Sequence, residues 1–492
     1  MRRTDIDGVP VFWQQGLEPL SAELVFRVGM RDESFARRGI THLVEHLAMS
    51  GLGRRHHDHN ASVSLGVTSF EAAGRPESVA AFLTDVCTAL GDLPVDRIDT
   101  ERRVLAAEHG EDDDGGPVGD HLLLRYALTG PGLTGVPIPA MDEIGPDDVR
   151  AWAARWFVRS NAALVLTGSP PPGLRLPLLD APRPERTEVA ALPLGGPVRD
   201  EHPGDRGVAL SLRTGADEAA LVAARIARQR ISDDLRHARG LAYDVDIITV
   251  RIGAGECVMV VLADPAAVAV PAAVALVDAV LRDLRDIGPT EAELADDLAG
   301  CREAWADPRT IAEDLYAAAL SHLDGRAEDP AELRAEREAL TADRVRAALT
   351  GYPDSAILTV PEGVQPEAFR PYPQRSDGVP VTGRAFKRQP FGPIPRGASL
   401  VVGEDGVSLV LKDGAVTIRW PDVVGYGRHE PGFCTLYGAD GAMLDLHPLF
   451  FRHGAEALAL VDARVPDSLR FTERGPAGDD PRRARGDRAT RR

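Results

Sequence analysis

The sequence predicts an α+β fold: two tandem, similar α+β units, each an antiparallel sheet with helices, followed by a small β-rich unit. Three observations carry this expectation. Strand-like and helix-like segments alternate through two successive blocks, and two Pro/Gly-rich stretches, beginning near Gly168 and at Pro371, divide the chain. The third block consists of short apolar runs separated by the turns EDG, KDG and ADG. The expected boundaries are 1–170 and 206–368 for the two large units, with linkers at 171–205 and 369–396. The β-rich unit is expected at 397–468 and a disordered basic tail at 469–492. At 492 residues, 44% of them hydrophobic, the chain is long enough for about three cores.

In the first block, SAELVFRVGMRDE reads as a strand and GITHLVEHLAMSG as a helix closed by Gly51. NASVSLGVTSFEAAG then reads as one strand, and PESVAAFLTDVCTAL as a helix. IGPDDVRAWAARWF is a helix with an acidic first turn, followed by the apolar strand NAALVLTGS. The second block runs from the strand GVALSLRTG to the helix ADEAALVAARIARQRISDDLRHA, then to LAYDVDIITVR and ECVMVVLADP as paired strands. Long helices follow from Ala266 to about Leu349, and SAILTVP closes the block. This repetition suggests an internal duplication.

Lys and Arg total 56 against 75 Asp and Glu, a net charge of -19, which argues against a nucleic-acid partner. No apolar run reaches the length of a membrane span, and MRRTDIDGVPVFWQQG has no apolar stretch behind its basic start, so a cytoplasmic protein without a transmembrane segment is expected. Cys87, Cys257, Cys301 and Cys434 are scattered and read as buried, reduced thiols.

The opening helix of the first block places His42, Glu45 and His46 in an apolar run. On a helix, His46 lies about 40° past one full turn from His42, so both imidazoles share a face, and Glu45 lies about 60° from His42. Two imidazoles so spaced can hold one divalent metal, and a carboxylate beside them can take a proton from water that the metal activates. That is the chemistry of a zinc hydrolase. A further carboxylate ligand must come from another element. In TERRVLAAEHGEDDD, Glu101 and Glu108 are seven apart, about 20° short of two turns, and point the same way. The following GEDDD reads as solvated. His56, His57 and His59, in the stretch LGRRHHDH, read as an exposed loop rather than a second metal site.

VGMRDESFARRGITHLVEHLAMSG resembles the active-site signature of the insulinase and pitrilysin family of inverted zincins, H-x-x-E-H. ERRVLAAE resembles the family's second signature, and GLTGVPIPAMDEIGPDDVRAWAARWFVRSNAALVLTGS is similar to the end of its first domain. DDLRHARGLAYDV is similar to a second-domain segment with an Arg and a Tyr seven apart. The resemblance covers roughly residues 5–365 and is like that of the single-half members, such as the mitochondrial processing peptidase.

It implies one Zn2+ per chain on His42, His46 and Glu108, with Glu45 as catalytic general base and Glu101 as an acid that orients the site. Asn60 and Ala61 match an Asn-Ala pair at the start of the substrate-binding edge strand, which a peptide would follow from Asn60 to about Ala73. Arg236 and Tyr243 would contact the substrate backbone. The implied activity is that of a zinc metalloendopeptidase on extended, unfolded peptides, and the alternative is a non-catalytic peptide-binding or structural subunit. A closed chamber in the family needs four α+β domains, so a homodimer, or a heterodimer with a related half, is implied. Glu108 follows His46 by fewer positions than is usual in the family, and the shortening falls between Gly51 and Asn60.

The meander of the third block, ending in the helical run HGAEALALVDARV, resembles a pleckstrin-homology-like (PH-like) domain, and the pattern also fits a small barrel of another kind. The unit is expected to fold alone and to be dispensable for catalysis.

Overall fold

The computed structural model describes residues 1–53, 58–109, 115–202, 207–253, 255–326, 329–373, 375–376, 378–390, 393–429 and 432–473. Residues 474–492 of the expected tail, GEDDD at 110–114 and the histidines at 56 and 57 therefore lie outside the described residues.

The first unit contains β1 (Arg2–Ile6), β2 (Val9–Trp13), β3 (Leu20–Phe26), α1 (Ile40–Ser50), β4 (Asp58–Val63), β5 (Thr68–Gly74) and α2 (Pro76–Gly91). It continues through α3 (Ile98–His109), α4 (Gly116–Tyr126), α5 (Pro146–Trp156) and β6 (Ala162–Leu166). The second contains β7 (Val198–His202), β8 (Val208–Gly215), α6 (Glu218–Ser232), β9 (Ala242–Arg251), β10 (Glu256–Pro265), α7 (Val270–Asp286) and α8 (Glu291–Ala306). It ends with α9 (Ile311–Leu323), α10 (Pro330–Glu338), α11 (Ala342–Ala348), β11 (Ile357–Pro361) and β12 (Arg370–Pro371).

The six-stranded sheets run β1-β2-β6-β3-β5-β4 and β12-β7-β11-β8-β10-β9. From β2 to β4 and from β7 to β9 they repeat one scheme: a parallel pair, then three antiparallel pairs. In the first, β6 inserts between β2 and β3, and in the second, β11 inserts between β7 and β8.

The apolar run of β6 is explained by burial on both faces. Ala162, Leu164 and Leu166 join the core of the first unit, whereas Ala163 and Val165 turn to the opposite face and meet Leu315, Ala318 and Leu323 of α9. The exchange is reciprocal: Leu122 and Tyr126 of α4 pack on Val258 and Val260 of β10. Polar contacts lock it, with His121 Nδ1 2.8 Å from Ser211 Oγ and Nε2 3.0 Å from Thr359 Oγ1. Burial drives the His121 pKa down to about 3, so it stays neutral. Each unit thus lends the other a helix.

The third unit comprises β13 (Gly383–Lys387), β14 (Ser399–Gly403), β15 (Gly406–Leu411), β16 (Gly414–Arg419), β17 (Val423–His429), β18 (Phe433–Gly438), β19 (Met443–Leu446), α12 (Gly454–Asp462) and β20 (Arg470–Thr472). Its sheets are β13-β14-β15-β16 and β19-β18-β17-β20.

Four expectations are corrected. NASVSLGVTSFEAAG forms two strands, β4 and β5, joined by a tight turn in which Ser64 N donates to Val67 O at 2.9 Å. The stretch expected as the linker 171–205 includes β7 and buries Leu174, Leu176 and Leu178 in the first core. The second expected linker contains β12 and β13, and β20 lies beyond 468, because both edges of the third unit complete their sheets with flanking chain. Cys301 is only half buried, whereas Cys87, Cys257 and Cys434 are buried, and all four are free.

The third unit also packs on the first. Phe35 is 4% exposed and lies 4.9 Å from the Tyr437 ring and 5.9 Å from Phe471, in a cluster with Leu128, Leu133 and Val136. Phe35→Ala is therefore expected to cost about 3 kcal/mol or more, read as a fall in the urea midpoint. A chain ending near 375 would expose the same cluster at the turn that leads into α1, so the expectation that the third unit folds as an independent, separable piece is replaced by a docked one, and the shortened chain should be less stable than the full chain. Equal stability of the two would remove this interface from the account.

Candidate metal centre

The site begins before its helix. Arg38 is buried and donates to the Val136 carbonyl at 2.7 Å. Gly39 takes φ +91°, and a Cβ there would meet Met141 Cε at 2.7 Å, so the turn requires glycine. The carboxylate of Glu33 accepts from Gly39 N at 2.8 Å and Thr41 N at 2.9 Å, satisfying amides that the first turn of α1 leaves unpaired. Ile40, Leu43, Val44 and Leu47 bury one face of α1 in the core. His42, Glu45 and His46 consequently lie toward α3, against which α1 packs.

On α3, Ile98, Glu101, Leu105 and Glu108 follow one helical face. Ile98 and Leu105 anchor it in the core, Glu101 is buried, and the Glu108 side chain is 51% exposed. The five predicted groups converge. His46 Nε2 lies 3.3 Å from Glu108 Oε2 and 3.8 Å from Glu45 Oε2, while His42 Nε2 lies 3.9 Å from Glu108 Oε2 and 3.6 Å from Glu45 Oε2. Nδ1 of His46 faces Glu101 Oε2 at 3.6 Å, and Arg97 holds the other Glu101 oxygen with hydrogen bonds of 2.9 and 3.2 Å.

The donor set fits zinc. One ligand atom from each of His42, His46 and Glu108 lies within 4.8 Å of the others, and tetrahedral bonds of about 2.0–2.2 Å separate ligand atoms by about 3.3–3.6 Å. Burial, and then the charges of Glu108 and Glu101, push the Glu45 carboxyl up to about 8. A divalent cation would relieve that crowding.

Asn60 and Ala61 lie on β4, the edge strand beside α1, with Asn60 exposed and Ala61 half buried. The peptide path expected to continue to Ala73 is corrected: β5 is paired on both sides, so of these two strands β4 is the one with an unpaired edge among the described residues. His59, expected in an exposed loop, is half buried in β4 with its ring 5.6 Å from Phe82. Arg236 and Tyr243 lie far along the chain, and the structure brings them to each other, with the Arg236 guanidinium 5.9 Å from the Tyr243 ring and Tyr243 81% exposed. Among the described residues, no hydrogen bond, ion pair or ring contact joins either to the His/Glu cluster. The sequence reading missed Glu33, Gly39 and Arg97. Arg97 was visible as a partner four residues from Glu101, whereas Glu33 acts across a turn that no periodicity marks.

Fold and site together describe two six-stranded α+β sheets with a candidate His-His-Glu metal site beside the first. No protein-family model matches the sequence, and no curated protein matches it. Solved structures do. The chain is similar to a protease from Helicobacter pylori, with a TM-score of 0.59 and 16% identity over 73% of this chain and 99% of that one. It is similar to the first half of the periplasmic protease PqqL from Escherichia coli, with a TM-score of 0.57 and 16% identity over 73% and 91%. It is also similar to a peptidase M16 inactive domain from Pseudomonas fluorescens, with a TM-score of 0.55 and 18% identity over 76% and 99%. Two of these neighbours are described as proteases and one as an inactive peptidase domain, and the chain shares their fold; likeness at such identity concerns fold, and function has to be argued from the site.

Proposed function

We propose that the chain is a zinc-dependent endopeptidase that hydrolyses extended, unfolded peptides. One observation carries this reading: His42, His46 and Glu108 present a three-donor set with the Glu45 carboxylate beside it. Zinc, when bound there, supplies Lewis acidity and lowers the pKa of water. Glu45 accepts a proton from water as the water oxygen adds to the scissile carbonyl carbon, and returns it to the leaving amine nitrogen. Glu101, held by Arg97, orients His46 through Nδ1. A peptide adds as an extended strand along the edge of β4, where Asn60 and Ala61 lie, and backbone pairing accommodates varied sequences.

Purified protein should contain about one zinc per chain and cleave a quenched peptide library. The His42→Ala, His46→Ala double variant should lose the metal by elemental analysis; unchanged zinc content would overturn the assignment. A non-catalytic subunit is the second reading, favoured by the likeness to a domain described as inactive. Zinc-loaded protein that cleaves nothing in the library supports it.

About 73% of the chain aligns with 91% of the first half of PqqL, and we propose that it works as a dimer, with itself or with a related half. The third unit, with four-stranded and three-stranded antiparallel meanders followed by α12, supports the PH-like reading. Among the described residues, no single helix is long and apolar enough to cross a membrane, and the four free thiols suit the proposed cytoplasmic location.

A further inference from the structure

A cavity of about 320 Å³ opens between the two large units, and its wall carries Arg27, Arg31, Arg186 and Arg251. Two of these are satisfied within the protein. Arg27 Nε donates to Asp324 at 2.9 Å, and Arg186 makes a two-pronged pair with Asp32 at 2.7 and 2.8 Å while donating to the Gly66 carbonyl at 2.7 Å.

Arg31 differs. It is 6% exposed, and among the described residues its guanidinium has no hydrogen-bond or ion-pair partner. Its neighbour Asp32 bonds Arg186 and Gly29 N, and its charge reaches Arg31 without a hydrogen bond or ion pair to it. A charge removed from water without a partner is costly, and a side chain held that way calls for an opposite charge. Burial, and then the Arg186 charge, push the Arg31 pKa below its ordinary range; Arg27 adds to this, and the Asp32 and Glu188 charges offset it only in part. Arg251, at the end of β9, lines the cavity from the second unit and, among the described residues, hydrogen-bonds the Ala216 carbonyl at 3.4 Å and makes no ion pair.

We propose that this cavity binds a small oxyanion, a carboxylate or a phosphate, with Arg31 as the buried anchor and Arg251 as its counterpart on the second unit. The planar guanidinium fork matches both classes of anion. The site also has a structural reach. Arg31 N donates to Leu65 O at 2.9 Å and Met30 N to Ser64 O at 3.1 Å, tying the anchor to the turn between β4 and β5. Thr249 and Ile252 form the opposite wall, so a bound anion bridges the hairpin that carries edge strand β4 to the second unit.

The test uses the zinc-loaded full chain in titration calorimetry and thermal melts at constant ionic strength. Inorganic phosphate forms one arm, succinate another, and chloride is the control. At least one of the two should bind with a dissociation constant below about 1 mM and raise the melting temperature, and the arm that does so identifies the class. Arg31→Met should weaken binding at least about tenfold, yet melt no lower than wild type in chloride, since it removes an unpaired buried charge. Arg251→Gln, on an exposed position, should weaken binding several-fold and serves if Arg31→Met fails to fold. Absence of binding in both arms, or undiminished affinity in either folded variant, overturns the assignment. Anions that bind only the metal centre would give the second of these results.

Discussion

Glu45→Gln is expected to keep its zinc and to lose peptide hydrolysis by about 10²–10⁴-fold in kcat. The amide has nearly the shape of the carboxylate, so the buried position on α1 is still filled, and the ligand set of His42, His46 and Glu108 does not include it. What it lacks is a lone pair basic enough to accept the proton from water, and that deficit falls on the transition state rather than on metal binding. Elemental analysis and single-turnover hydrolysis of one quenched peptide separate the two roles. A rate within a few-fold of wild type would sink Glu45 as the base, and zinc lost along with activity would make it a ligand instead.

Mixing two inactive variants should restore activity if the site is shared between chains. Arg236 and Tyr243 face each other on the second unit, with Tyr243 81% exposed and neither touching the His/Glu cluster among the described residues. In a two-fold dimer, the metal unit of one protomer would meet the Arg236/Tyr243 face of its partner. Glu45→Gln and Arg236→Ala proteins, each nearly inactive, then form about half mixed dimers on exchange, each with one complete site of two, so recovery approaches about a quarter of wild-type activity. Verified exchange without recovered hydrolysis rules the sharing out, and the proposed heterodimer then becomes the better reading.

The shared polar face of each site helix is readable in the sequence. His42, Glu45 and His46 share one side of α1, and Glu101 and Glu108 share one side of α3, because 3.6 residues per turn is a property of the backbone and holds in any fold. The repeated scheme of strands and helices was legible for the same reason: side-chain period follows local geometry. The run NASVSLGVTSFEAAG marks where this fails. Its apolar residues alternate on both sides of a turn, and only the pairing of Asn60 with Glu71 and of Val63 with Thr68 shows two strands in place of one.

What only the tertiary structure decided is which faces meet. His46 and Glu108 are brought to 3.3 Å by the packing of α1 on α3, an approach that no spacing between them encodes. The carboxylate of Glu33 on the start of α1, the exchange of α4 and α9 between units, the docking of Tyr437 and Phe471 on Phe35, and the unpaired Arg31 in the cleft are of the same kind. Periodicity is set by covalent geometry within a few residues, whereas each of these contacts depends on how distant segments bury their apolar faces together, and a pattern along the chain carries no measure of that distance.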